Sequence, residues 1–145
     1  MEIINEFNLN IESRSVNESF CRVVISAFIA PLDPTIEELS DLKTALSEAV
    51  TNSIVHGYKN TKGKIYINAK IKRDNTVVIK IRDKGRGIED IKKAMTPLYS
   101  TGDSDRAGLG FTVMESFCDK VKVFSKPDKG TTVVLTKKIT GHSAW

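Results

Sequence analysis

The hydrophobic period of this chain changes sharply near residue 60, and that change limits what it can fold into. Before it, Leu39, Leu42, Leu46, Ala49, Val50 and Ser53 recur at helical spacing. After it, Ile65, Ile67, Ala69 and Ile71 alternate with polar residues, and Val77, Ile79 and Ile81 alternate again past an Asp74-Asn75 turn. A helical period calls for an amphipathic helix, and a period of two calls for a half-buried strand. Both must bury an apolar face, so the helices are expected to cover one face of a sheet.

The remaining elements extend that layout. Ile3, Phe7, Leu9 and Ile11 predict a first strand. Ser15-Val16-Asn17-Glu18 has the spacing of a capping box and predicts a helix with Val16, Phe20, Val23, Val24, Ala27 and Phe28 inward, ending before Pro31. Thr35-Ile36-Glu37-Glu38 repeats the box and opens the long helix, with Gly57 as its stop. A short helix is expected over residues 89–95 and a polar loop over 98–107. A helix is expected from Phe111 to Cys118, then a final hairpin around Pro127-Asp128-Lys129-Gly130. The expected fold is α+β, a two-layer α/β sandwich whose mixed, mostly antiparallel sheet has helices on one face. One domain spans residues 1–138 and residues 139–145 form a C-terminal tail, of which residues 141–145 are expected to fray.

Charge divides unevenly along the 145 residues. Residues 1–58 hold 3 Lys/Arg against 9 Asp/Glu, residues 59–93 hold 12 against 4, and residues 94–145 hold 7 against 5. Nucleic-acid binders usually carry one dense basic face, so this split argues against direct nucleic-acid binding. Lys70, Lys72, Lys80 and Arg82 fall on the outward positions of the hairpin, which makes much of the basic middle a solvated strand face. The stretch from Val23 to Leu32 is far short of the roughly 20 residues of a membrane span. The acidic start, Met1-Glu2-Ile3-Ile4-Asn5-Glu6, is unlike a signal peptide. Cys21 and Cys118 lack metal or redox spacing and are expected to be buried thiols in a cytoplasmic protein.

Three constellations carry chemistry. Glu48 and Asn52 stand four residues apart on one face of the long helix, at the edge of its apolar stripe. Asp83-x-Gly85-x-Gly87 follows a strand directly; it is either a ligand-approach loop or a turn with a solvated carboxylate. Gly108-Leu109-Gly110 precedes an expected helix and follows Arg106; it is either a phosphate cradle or a tight turn. There is no GxxxxGK[ST] and no complete GxGxxG.

Taken together, in this order, the three resemble the GHKL (Bergerat) ATP-binding family shared by histidine kinases, gyrase, the Hsp90 chaperone and the MutL mismatch-repair protein. Glu48 to Tyr58 (EAVTNSIVHGY), Asn17 to Thr35 (NESFCRVVISAFIAPLDPT), Gly108 to Glu115 and Gly130-Thr131-Thr132 resemble the anti-sigma F factors of endospore-forming bacteria over nearly the whole chain. The resemblance implies an ATP-dependent protein-serine kinase that inhibits a sporulation sigma factor and phosphorylates an anti-anti-sigma protein. It implies Mg²⁺ on Asn52, Glu48 as general base, and Arg106 beside the γ-phosphate. Asp83 would read the adenine amine, with Thr131 holding a water beside it. Gly85 and Gly87 would pass under the base, and Gly108 and Gly110 would cradle the phosphates. Arg22 and Thr51 would belong to a surface shared by both protein partners, and the protein would form a homodimer through a sheet-to-sheet contact. Glu18, Glu37, Glu38 and Asp41 are expected to face a cationic partner. Alternatives are an anti-sigma B type stress-response kinase, a sigma-binding module that uses ATP only structurally, and the detached ATPase domain of a histidine kinase.

Overall fold

The computed structural model describes residues 1–95 and 106–142. The order is β1 (Ile3–Glu12), α1 (Val16–Ile29), a 3₁₀ turn (Ala30–Leu32), α2 (Ile36–Asn52), a π turn (Ser53–Gly57), β2 (Lys64–Lys72), β3 (Thr76–Asp83), α3 (Ile91–Ala94), α4 (Arg106–Phe117), β4 (Lys120–Lys126) and β5 (Gly130–Lys138). The strands form one sheet in the order β1-β2-β3-β5-β4. Every pairing is antiparallel, so the sheet is not mixed. Hairpin connections suffice for β2-β3 and β4-β5, whereas a parallel pair would need a crossover.

Alternation in the sequence becomes two different faces. Ile65, Ile67, Ala69 and Ile71 of β2 and Val77, Ile79 and Ile81 of β3 are buried against the helices. Lys80 and Arg82 are exposed on the other face, as expected, with Lys70 and Lys72 partly so. Leu42, Ala45, Leu46, Ala49 and Val50 of α2 close the core from above. Removing such a side chain, as in Leu46→Ala, typically costs ~2–5 kcal/mol.

The first helix corrects its expected phase. Its buried residues are Cys21, Ile25 and Ile29. Val16, Phe20 and Val23 are 62%, 47% and 68% exposed. This helix is apolar on two sides, so periodicity alone could not say which side meets the sheet. The expected box at Ser15 does not form either, because Ser15 is helical and its side chain caps nothing. Glu18 instead accepts a hydrogen bond from Thr51 Oγ1 on α2 at 2.6 Å.

The box on α2 does form. Thr35 Oγ1 accepts from Glu38 N–H at 3.1 Å, and the Glu38 carboxylate accepts from Thr35 N–H at 3.0 Å. The same carboxylate takes the N–H and hydroxyl of Thr140, each at 2.7 Å, and the N–H of Gly141 at 3.0 Å. Ile139 is buried, and His142 Nδ1 lies 3.3 Å from Asp33 Oδ1. Residues 139–142 are therefore docked, which corrects the fraying expected for Gly141 and His142; residues 143–145 lie outside the described residues. Burial pushes the Glu38 carboxyl up, but the bonds from Thr35, Thr140 and Gly141 outweigh it and pull it down to about 2.

Both cysteines are buried and free. Burial pushes the Cys21 thiol up to about 11 and the Cys118 thiol up to about 12, so neither is a reactive thiolate. Among the described residues no helix is long and apolar enough to cross a membrane.

Candidate functional site

The end of α2 is the unusual part of the fold. The α-helix stops at Asn52 and the backbone widens into the π turn. Such turns are rare and are found mostly at functional sites. Here the turn aims Ser53 and Gly57 at the end of β3. Ser53 hydrogen-bonds the Asp83 carboxylate. A Cβ on Gly57 would lie 2.9 Å from that carboxyl group, so only glycine lets the turn settle there.

Asp83 is 3% exposed and sits opposite Thr131 in the β3-β5 register. Its Oδ1 accepts from Gly85 N–H at 3.0 Å and Thr131 N–H at 3.3 Å. Burial pushes its carboxyl above the usual range, against the pull of those bonds and of Ser53. The solvated-carboxylate alternative for Asp83 is thereby excluded.

The glycines after Asp83 also have a packing reason. A Cβ on Gly85 would stand 2.1 Å from the Gly57 carbonyl oxygen, and one on Gly87 would stand 2.0 Å from the Lys126 carbonyl oxygen. Gly87 also has φ +75°. Both serve close backbone packing, which presses the loop against the π turn and the β4-β5 turn. Arg86 completes the join: its N–H bonds Gly57 O at 2.9 Å and its Nε bonds His56 O at 2.7 Å.

These groups line a cavity of about 610 Å³, with Asn52, Asp83, Gly87, Phe111 and Thr131 in its wall. That is the volume of a small-molecule site. Glu48 and Asn52 stand together where expected. A Cβ on Gly110 would come within 3.2 Å of Asn52 Oδ1 and 3.4 Å of Glu48 Oε2, so Gly110 allows α4 to approach this pair. Asn52 Nδ2 is buried with no hydrogen-bond partner among the described residues. A buried amide left unmatched costs roughly 1–3 kcal/mol, and such a group at a cavity is what a ligand would satisfy. Its amide oxygen is also a suitable hard donor, so the site fits one Mg²⁺ held mainly by water and phosphate oxygens.

The expected start of α4 at Phe111 is corrected: the helix begins at Arg106, which puts Gly108 and Gly110 in its first two turns. Residues 98–105 of the expected polar loop, and the guanidinium role expected for Arg106, lie outside the described residues. Arg22 and Thr51 are not in the cavity wall. They mark the α1-α2 seam, where Arg22 bonds Ser47 Oγ at 2.7 Å and Ser19 Oγ at 2.9 Å and Thr51 bonds Glu18. Of the four acids expected to face a partner, Glu18 bonds Thr51, Glu38 holds the C-terminal segment and Asp41 lies 3.7 Å from Lys137. Glu37 is exposed. Ser53 and Gly57 line the cavity and were missed as site residues by sequence reading; the glycine directly after His56, at a helix end, was their one visible signal.

The buried Asp83 carboxylate and the unmatched Asn52 amide share one cavity, with Glu48 beside Asn52 but outside its wall; this arrangement fits a nucleotide site, and the comparisons agree with it. The family described as "Histidine kinase-like ATPase domain" matches residues 12–137. The anti-sigma F factor of Thermoanaerobacter sp. (strain X514) is 56% identical over 140 residues, covering 96% of this chain and 97% of its own. That of Bacillus subtilis (strain 168) is 48% identical over 142 residues, covering 97% of each. The RsbU and RsbW domains of a Mycobacterium tuberculosis protein share the fold with a TM-score of 0.68 at 19% identity, over 93% of this chain and 32% of that one. The chain belongs to the histidine kinase-like ATPase family and, within it, to the anti-sigma F factors.

Proposed function

We propose that this protein binds Mg-ATP in the cavity, sequesters a sporulation sigma factor, and phosphorylates a serine of an anti-anti-sigma protein. The observation that carries the reading is one cavity lined by both Asn52 and Asp83, with Glu48 and Gly110 packed beside Asn52. Asp83 accepts from the six-amine of adenine. The Asn52 amide oxygen holds Mg²⁺, which neutralises charge on the phosphates when bound. The free amides of the first turn of α4, Gly108 among them, take phosphate oxygens, with Arg106 adding charge-assisted bonds, while Gly110 lets the helix come close. Glu48 orients the substrate serine hydroxyl and accepts its proton.

Partner binding falls to α1 and its seam with α2. Val16, Phe20 and Val23 form an exposed apolar strip, and Arg22 and Thr51 lie beside it. A shared surface makes the two protein partners compete, and phosphorylation at the contact adds about −1.5 to −2 charge, which ends the affinity of the one that carries it. Because most acids of this region are engaged internally, apolar burial carries this contact more than salt-sensitive pairing does. The protein works as a homodimer in the cytoplasm on this reading. The test is an assay of the full chain with purified anti-anti-sigma protein, Mg²⁺ and labelled ATP. Transfer of label to a serine is expected; ATP binding with no transfer would leave only a sigma-binding module.

A further inference from the structure

Behind the cavity floor stands a hydroxyl that the proposed reaction does not use. Ser125 lies on β4 and is not part of the cavity wall. Its Oγ accepts from Ile88 N–H at 2.8 Å, donates to the Gly130 carbonyl at 2.9 Å, and lies 2.8 Å from Thr131 Oγ1. A serine hydroxyl has one proton and two acceptor lone pairs. The Gly130 carbonyl can only accept, so it takes the proton. The Ile88 amide can only donate, so it takes one lone pair. What remains for Thr131 is to donate its own proton into the second lone pair.

That count fixes which way Thr131 points. Its proton is turned toward Ser125, so its oxygen presents lone pairs to the cavity. Asp83 beside it, when ionised, also presents only acceptors. We propose that Ser125 is a specificity-setting positioning residue: it holds the Thr131 hydroxyl so that the cavity floor accepts but does not donate. Such a floor favours a purine with an amine at the six-position over one with a carbonyl there. At the six-position an amine brings protons to the two acceptors, whereas a carbonyl brings lone pairs against them and leaves only the neighbouring ring N1–H to donate. Discrimination of this kind is strong because the mismatch leaves buried polar groups unpaired. This inference rests on the reading that the cavity takes ATP.

The experiment is calorimetric titration of the full chain, with Mg²⁺, by ATP and by inosine triphosphate, which carries the carbonyl. Wild type should prefer ATP; failure to bind ATP at all would sink the nucleotide reading itself and not this refinement alone. Ser125→Ala frees the Thr131 proton to turn into the cavity. The ATP-to-inosine-triphosphate affinity ratio should then fall about five- to tenfold, the size of one lost hydrogen-bond preference. Ser125→Thr keeps the hydroxyl and should retain the wild-type ratio. In a Thr131→Val background, Ser125→Ala should move the ratio no further. An unchanged ratio in Ser125→Ala, an equal loss for both nucleotides, or an undiminished change in the Thr131→Val background would each overturn the proposal. If Ser125→Ala does not fold, Ser125→Cys reads the same ratio, since a thiol is a poor substitute for the hydroxyl.

Discussion

The two ends of α2 are built on opposite terms. At its start, Thr35 and Glu38 satisfy each other, and the same carboxylate takes three further donors from Thr140 and Gly141. At its finish, the helix widens into a π turn, Asn52 Nδ2 is buried without a partner among the described residues, and Asp83 is buried with its carboxyl pushed up. One end commits its polar groups to the fold. The other leaves one amide unmatched and buries a carboxyl whose charge desolvation penalises, which favours the unfolded chain unless a ligand arrives. Local rules broken in this way, in an otherwise consistent helix, are characteristic of functional sites.

Substitutions at the two ends should separate activity from stability. The largest effect is expected at the finish. Glu48→Gln should lower phosphotransfer to the anti-anti-sigma protein by about 10²–10⁴-fold, the range for a lost general base, with ATP affinity nearly unchanged. A full rate in a transfer assay would remove Glu48 from that role. Gly85→Ala comes next. It forces a Cβ to 2.1 Å from the Gly57 carbonyl oxygen, so denaturant unfolding should show a loss of roughly 2–4 kcal/mol. Wild-type stability there would show that the loop does not need to press on the π turn.

The smallest effect is expected at the start. Glu38→Ala removes the box and the hold on the C-terminal segment, and should cost about 1–2 kcal/mol by denaturant titration while ATP affinity stays put. Its pH dependence has a definite sign. The folded carboxyl is depressed to about 2, so its contribution is complete above the unfolded value of roughly 4.3 and is lost as pH falls toward 2. The stability gap between wild type and Glu38→Ala should therefore close over that window. A gap that persisted at the acid end would mean the carboxylate charge is not what holds the segment.

The contrast between the two ends also explains what the sequence could reveal. The start of α2 was legible because a capping box is local: Thr35 and Glu38 are three residues apart. The hairpin was legible for the same reason, through its alternation. The docking of Thr140 and Gly141 was not, because Glu38 meets them across more than 100 residues. Ser15-Glu18 shows the limit of a local signal: the same spacing failed once Glu18 found Thr51, 33 residues away. At the site, Glu48, Asn52 and Asp83 were legible as chemistry-bearing residues in order. Ser53, Gly57 and Ser125 were not, because their roles depend on strand register and on the π turn. Val16, Phe20 and Val23 were read as core because apolar character does not distinguish a core from an exposed contact surface.

The central claim is that the finish of α2 gives up stability to hold a ligand, and Asp83 is where it can be measured. Burial penalises its ionised form, so above its raised folded value the charge costs stability, and the cost is relieved as pH falls through that value. Nucleotide binding, which needs the ionised acceptor, should weaken over the same descent, beginning above the ordinary carboxylate range. The direct test is thermal unfolding of Asp83→Asn at neutral pH, without and with Mg-ATP. The midpoint of the nucleotide-free variant should rise above wild type, and the rise that ATP produces in wild type should disappear. A lower nucleotide-free midpoint together with an undiminished ATP-induced rise would contradict the claim.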